Sequence, residues 1–302
     1  MLRGWFASTS PLVPVDRFSQ EFHSSFNAET FEGFRFDMAK TRGPFSLMGT
    51  LGLGALPVYP GYLWQLGPIY QSGTTVAALR LASDRALTAR LSQTHKTVEG
   101  RFMAEVGFPK TGASVAWEAS VSKDAGETGT VAGSIKVAMQ QSTFIYNASL
   151  AKKVAPGLHV GSDLTLIEGN NTSTMITGLR YDGRPGHVIT AFLSRQPDFE
   201  TADIHKQAHS AKLQYWRRVS DRLCLGSELE AVRSSRGDLQ SCCRIAYDHF
   251  FRNSRVQGSV SSEGEVRVLA LASNGVSISG FADLLAGKFS VGLGLTGPSD
   301  DS

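Results

Sequence analysis

No stretch of the 302 residues approaches eighteen consecutive apolar side chains, so the sequence contains no transmembrane helix. Cysteine is scarce: Cys224, Cys242 and Cys243 are odd in number and two are adjacent. That excludes a disulfide framework and a zinc-type spacing, and it fits a reducing or thiol-neutral setting. Charge is low at 19% and the net charge is only +3. No Lys/Arg run is present, so a nucleic-acid partner is not expected. Catalytic signatures are missing as well. Lys110-Thr111-Gly112 lacks the companion serine motifs of a β-lactamase. The Gly-x-Gly segments open no helix and do not support dinucleotide binding. His205 and His209 are four apart, a spacing that makes no metal face in a strand or loop. Asn147-Ala148-Ser149 fits a glycosylation sequon but lies mid-strand, and a cytosol-made protein would never meet the enzyme. No nucleophile–base–acid set can be assembled, so neither an enzyme nor a bound cofactor or metal is expected.

What the sequence does have is alternation and glycine. The chain holds 31 glycines, more than an average globular chain. In the last full segment, GKFSVGLGLTG, Phe289, Val291, Leu293 and Leu295 share one face of a strand. Lys288, Ser290, Gly292, Gly294 and Thr296 share the other. About ten alternating residues suffice for a tilted strand to cross a bilayer. The pattern recurs from Gly33 onward, in GFRFDMAK, FSLMGTLGL, YLWQLGPIY, ASVAWEASVS, HSAKLQYWRRV, EVRVLALAS and their neighbours. Pro68 restricts its strand to a bulge or a weakly bonded position. Turn chemistry at Pro156-Gly157, Asp182-Gly183, Ser235-Arg236-Gly237 and Glu263-Gly264 separates the segments. Pro185-Gly186 and Arg195 to Lys206 are further loop candidates.

The expected fold is all-β: one transmembrane β-barrel of about nineteen strands in meander order. Residues 1–32 form an N-terminal arm and helix, 33–297 the barrel and 298–302 a C-terminal tail. In VDRFSQEFHSSF, Phe18, Phe22 and Phe26 stand four apart, which predicts a helix with Asp16 as its cap and a place inside the lumen. The face opposite the apolar stripe lines a water-filled pore, because a barrel this wide cannot be packed by side chains. Its candidate members are Arg35, Asp37, Arg90, Glu105, Glu118, Lys136, Asp163, Arg180, Glu228, Glu230, Arg244 and Asp248. Val115, Trp117, Ala119 and Val121 are expected to face lipid. Trp5, Tyr62, Tyr70, Tyr146, Tyr181, Tyr215 and Trp216 are candidates for aromatic girdles at the interfaces.

Several of these segments resemble the channel subunit of the mitochondrial outer-membrane protein translocase, within the mitochondrial porin superfamily. FEGFRFDMAK with FSLMGTLGLG is similar to that family's first hairpin, and YLWQLGPIYQSGTTVAALRLASDRALTARL to its next strands. SRVQGSVSSEGEVRVLAL is similar to its penultimate hairpins. From about Arg101 to Asp248 the likeness lies in strand rhythm more than in residues. KFSVGLGLTG resembles the C-terminal sorting signal of mitochondrial barrels, with Lys288, Gly292, Leu293 and Leu295 in its strand; Ser290 stands where the signal has Gly. The resemblance implies a mitochondrial outer-membrane location and a nineteen-strand barrel whose first and last strands pair in parallel. It also implies an inner helix, passage of mitochondrial precursor proteins, and a complex with a second copy, small helical subunits and receptor subunits. Acidic lumen patches are a feature of that family, whereas the lumen expected here is mixed in sign. The alternative within the same superfamily is a metabolite porin resembling the voltage-dependent anion channel.

Overall fold

The computed structural model describes residues 12–26, 30–55, 60–83, 86–96, 98–107, 114–123, 131–140, 143–168, 172–198 and 206–297. Trp5 and the C-terminal tail lie outside them. The strands follow one another as β1 (Gly33–Arg42), β2 (Phe45–Ala55), β3 (Pro60–Ser72), β4 (Thr75–Ala82), β5 (Leu87–His95), β6 (Val98–Gly107) and β7 (Ser114–Lys123). Then come β8 (Val131–Gln140), β9 (Thr143–Ala155), β10 (Leu158–Ile167), β11 (Thr172–Arg184), β12 (His187–Pro197) and β13 (Gln207–Ser220). The last are β14 (Leu223–Arg233), β15 (Leu239–Phe250), β16 (Ser254–Ser261), β17 (Glu265–Ala272), β18 (Val276–Asp283) and β19 (Lys288–Thr296). They form one 19-stranded sheet in which each strand pairs with its sequence neighbours. The ring closes between β1 and β19, which run parallel from Gly33↔Gly292 to Asp37↔Thr296. An odd number of strands makes that parallel seam unavoidable, since a meander alternates direction and the first and last strands then point the same way.

Closure leaves no edge strand and satisfies the backbone between strands, as a chain in hydrocarbon requires. The seam can be read covalently. With the native cysteines replaced, Phe34→Cys and Leu293→Cys stand opposite one another in the parallel register and should form a disulfide on mild oxidation of the folded chain. Offsetting one cysteine by two residues should abolish the crosslink. A chain that crosslinks only between consecutive strands would be an open sheet.

Local chemistry explains most irregularities. Pairing of β3 with β4 passes from Leu66↔Leu81 directly to Ile69↔Ala78. The lapse covers Gly67 and Pro68, where the proline has no N–H to give. Asp182-Gly183, expected as a turn, lies instead inside β11; the reversal comes two residues later, at Pro185–Gly186. Gly186 there has a φ of +73°, a conformation glycine adopts without a Cβ clash. Arg195 to Pro197, expected as loop, belong to β12.

The two faces are set by the N-terminal lead. A 3₁₀ turn at Val15–Arg17 and a helix α1 (Gln20–Phe26) bond to Arg180, Trp216 and Gln257 of the wall. These residues therefore face inward, and the register carries that assignment strand by strand around the ring. The opposite face is apolar and uncovered: Ile135 is 66% exposed and Leu193 65%. So large an unpartnered apolar surface is stable only against lipid. Its height is that of a membrane. On β12 the outward Ile189, Ala191 and Leu193 lie between His187 and Arg195, whose separation is about 26 Å along the strand. Tilted by about 40°, that gives a band roughly 20 Å tall, near the ~25 Å of outer-membrane barrels. No helix among the described residues is long and apolar enough to cross a membrane.

Candidate pore and its inner lead

The lead is shorter as a helix than its phenylalanine spacing predicts. Phe18 precedes α1 and belongs to a different cluster from Phe22 and Phe26. Phe18 packs with Leu12, Val15, Ala132 and Ala151, and against Phe192. Phe22 and Phe26 pack with Cys224 and Ala246, and against Trp216. Asp16 does not cap the turn it was expected to begin: it lies within it, and Pro14 holds the cap position without a side-chain bond. The lead thus bends along the wall, where one straight helix would bury a single stripe.

Glycines make the wall fit it. A Cβ at Gly161 would strike the Val15 side chain, one at Gly178 would come within 3.0 Å of the Phe18 ring, and one at Gly226 would strike the Phe26 ring. Hydrogen bonds fix the rest. Arg180 donates to the Phe18 carbonyl at 2.7 Å and holds both carboxylate oxygens of Glu21 at 2.6 Å. Its Nε also reaches Asp182 at 3.1 Å. Trp216 Nε1 donates to Ser25 Oγ at 3.1 Å. Gln257 Nε2 donates to the Ser24 and Ser25 carbonyls at 3.1 and 2.7 Å. Ser279 Oγ donates to the Phe31 carbonyl at 2.5 Å. Trp216, expected in an interfacial girdle, therefore points into the lumen. Tyr62, Tyr70, Tyr146, Tyr181 and Tyr215 stand on the outward face by the alternation of their strands.

The residues expected to line the pore all stand on the inner wall, and most pair with a neighbour. Arg35 and Asp37 are 2.8 Å apart, and Thr50 donates to Asp37 at 2.6 Å. Lys136 meets Glu118 at 2.9 Å across β7 and β8. Asn147 donates to Asp163 at 2.7 Å. Lys212 lies 2.9 Å from Glu230 and 3.8 Å from Glu228, and Arg244 lies 3.5 Å from Glu228. Asp248 is held by Arg255 at 2.7 and 2.9 Å. Arg90 sits opposite Met103, beside the Arg101–Glu99 pair at 2.6 Å. Glu105 is exposed and makes no ion pair among the described residues. Such cross-strand pairs are worth about 0.2–1 kcal/mol each.

Between the lead and β6–β10 a chamber of about 600 Å³ opens, with Glu105, Glu118 and Asp163 on its wall beside Arg17, Arg101 and Lys136. Glu228 and Asp248, in contrast, are buried and spend their oxygens on Gln214, Lys212, Arg244 and Arg255. In β19, Lys288, Gly292, Leu293 and Leu295 divide by face. Leu293 and Leu295 point outward, and Gly292 lies under the Phe31 carbonyl and ring.

The wall residues that grip the lead were mostly not legible beforehand. Glu21 and Arg180 are 159 positions apart, and nothing in the sequence couples them. Gly161, Gly178 and Gly226 carried the better signal, as glycines at inward positions of long strands. No group of three or more metal-binding side chains occurs among the described residues.

A sequence model of the eukaryotic porin family matches residues 26–272, most of the chain and nearly all of its barrel. The chain belongs to the eukaryotic porin family. No curated protein matches it. For a eukaryotic porin, the closed barrel, apolar outer band and polar lumen support a channel of the mitochondrial outer membrane, and a channel role rather than an enzymatic one. The match begins at Phe26, so the lead's half of the Arg180 clamp, Phe18 and Glu21, precedes it while Arg180 and Asp182 lie within it.

Proposed function

We propose that this porin conducts proteins, passing unfolded precursors from the cytosol to the intermembrane space during mitochondrial import. The observation that carries this reading is the chamber flanked by Glu105, Glu118 and Asp163. A precursor's import signal is a cationic amphipathic helix. It is guided best by scattered carboxylates and polar groups on a wet wall, with no single tight site. The wall also alternates in sign, with Arg35 beside Asp37, Lys136 beside Glu118 and Lys212 beside Glu230. A predominantly basic wall would repel such cargo. In this reading the channel works with a second copy of itself, small helical subunits and receptor subunits.

The family's own description as porins favours a second reading, a metabolite channel selective for anions. Current through the full chain in planar bilayers separates the two. A cationic presequence peptide should block the pore from one side, and Glu105→Gln with Glu118→Gln and Asp163→Asn should weaken the block several-fold. Raising salt should erase that difference as the attraction is screened. An unblocked pore that prefers small anions would establish the metabolite channel instead. Native electrophoresis adds an independent arm: a translocase channel should migrate in a stable complex with small subunits.

A further inference from the structure

Among the described residues the outward face of the strands carries no carboxylate. At every outward position of the described strand residues whose charge is not neutral, the residue is basic, and these positions cluster at one rim. The far rim is defined by the ends of the odd-numbered strands, where the β1–β2 turn lies and the chain leaves β19. There the outward side chains include Lys40 on β1, Lys123 on β7, Lys152 on β9 and Arg217 on β13, all exposed. The turns of that rim add Lys96, Arg222 and Arg252. Their one carboxylate among the described residues is Asp221, already 3.3 Å from Arg218. The near rim differs. Among the described residues its turns carry the carboxylates Glu168, Asp198, Asp238 and Glu263 against the cations Lys206 and Arg236, and its outward strand cations are Arg195 and Arg233.

We infer that the far rim is a binding belt for anionic phospholipid headgroups. The inference rests on the membrane barrel and not on what passes through it. Each basic residue takes the last or last-but-one outward position of an apolar row: Lys123 follows Ala119 and Val121 at the end of β7, and Lys152 follows Ala148 and Leu150 with only Val154 beyond it. Their alkyl stems therefore lie against hydrocarbon while the charged heads reach the phosphate layer. An acidic protein partner would approach from beyond the turns. Side chains that leave the wall sideways at headgroup depth meet lipid first. With no outward carboxylate among the described strand residues to neutralise them, their charge is left to the lipid. The consequence is directional, because the belt favours burial of this rim in whichever leaflet is richer in anionic lipid.

The full chain reconstituted in phosphatidylcholine vesicles tests this with spin-labelled lipid. The probes are trace phosphatidylglycerol and phosphatidylcholine labels, and the readout is the ratio in which they occupy the immobilised lipid shell. The unchanged chain should prefer phosphatidylglycerol several-fold, and salt should reduce the preference. The fourfold variant Lys40→Gln, Lys123→Gln, Lys152→Gln, Arg217→Gln should lower the ratio strongly. A variant with Lys40, Lys123 and Lys152 changed to Arg should keep the preference, which controls for folding. Arg195→Gln with Arg233→Gln should leave it nearly intact. No preference in the unchanged chain would overturn the inference in favour of an acidic protein partner. A preference that survives the fourfold change, or is lost equally from the near rim, would overturn it too.

Discussion

Replacing Arg180 by methionine will free the N-terminal lead from the wall while leaving the barrel closed. Arg180 is buried on the inner face of β11, and it is the one side chain that ties the Phe18 carbonyl, the Glu21 carboxylate and Asp182 together. Methionine keeps an unbranched apolar stem and removes every donor. The Phe18 carbonyl then loses its partner, and Asp182 remains beside the buried His159 with its guanidinium gone. Removing one member of a buried pair costs about 3–5 kcal/mol, because the other charge is left unpaired. Only part of that falls on the lead, since Glu21 is 35% exposed at its side chain and can return to water. The ring of strand pairs does not pass through Arg180, so the loss appears as undocking and not as an opened sheet. Protease cleavage of the lead and thiol labelling of Ser19→Cys, buried in the docked state, should accelerate strongly, while the Phe34–Leu293 crosslink still forms. Arg180→Lys should fall between, because an ammonium cannot hold both Glu21 oxygens in a fork. A lead equally protected in Arg180→Met would show that the phenylalanines and the bonds from Trp216, Arg255, Gln257 and Ser279 hold it without the clamp.

The contrast between wall and lead explains what could be read beforehand. The barrel was legible because a two-residue period over about ten residues, repeated along the chain, has few other solutions, and because closure turns alternation directly into inside and outside. Phe289, Val291, Leu293 and Leu295 could not change faces without a register slip. The lead followed a weaker code. Phe18, Phe22 and Phe26 keep helical spacing, yet the Phe18 carbonyl is taken by a wall residue and the helix starts only after it. Asp182-Gly183 carried turn chemistry but sits within a strand, because Asp182 is engaged by Arg180 and the next Pro-Gly supplies the reversal. Trp216 near a strand end looked like an interfacial anchor. Its inward position puts the indole N–H on Ser25. Glu228 and Asp248 share the polar parity of Glu105, but only the packed lead separates buried carboxylates from those open to the chamber. Each miss depends on a partner far away in sequence, which local pattern does not encode.

The outer wall should be intolerant of charge in a way that the inner wall is not. Ala119 is in the middle of β7 and points outward, between Phe102 of β6 and Val137 of β8. An arginine there has no water, no carboxylate and no nearby rim to reach. Near the bilayer midplane such a change costs about 2–4 kcal/mol. Ser120, the next residue, faces the pore but stands opposite both Arg101 and Lys136. An arginine placed there meets like charge on both sides, at about 0.2–1 kcal/mol per pair. Ala138 is the cleaner inner comparison, since it lies opposite Glu118 and an arginine there gains a partner. Urea unfolding of the chain in lipid bilayers should therefore rank the variants. Ala119→Arg should be the least stable by a clear margin, Ser120→Arg mildly weakened and Ala138→Arg close to the unchanged chain. The order should survive high salt, because the penalty at Ala119 is desolvation and not repulsion. Equal stability of Ala119→Arg and Ala138→Arg would mean that water reaches both faces of β7, and the apolar band would then have to be covered by protein instead of lipid.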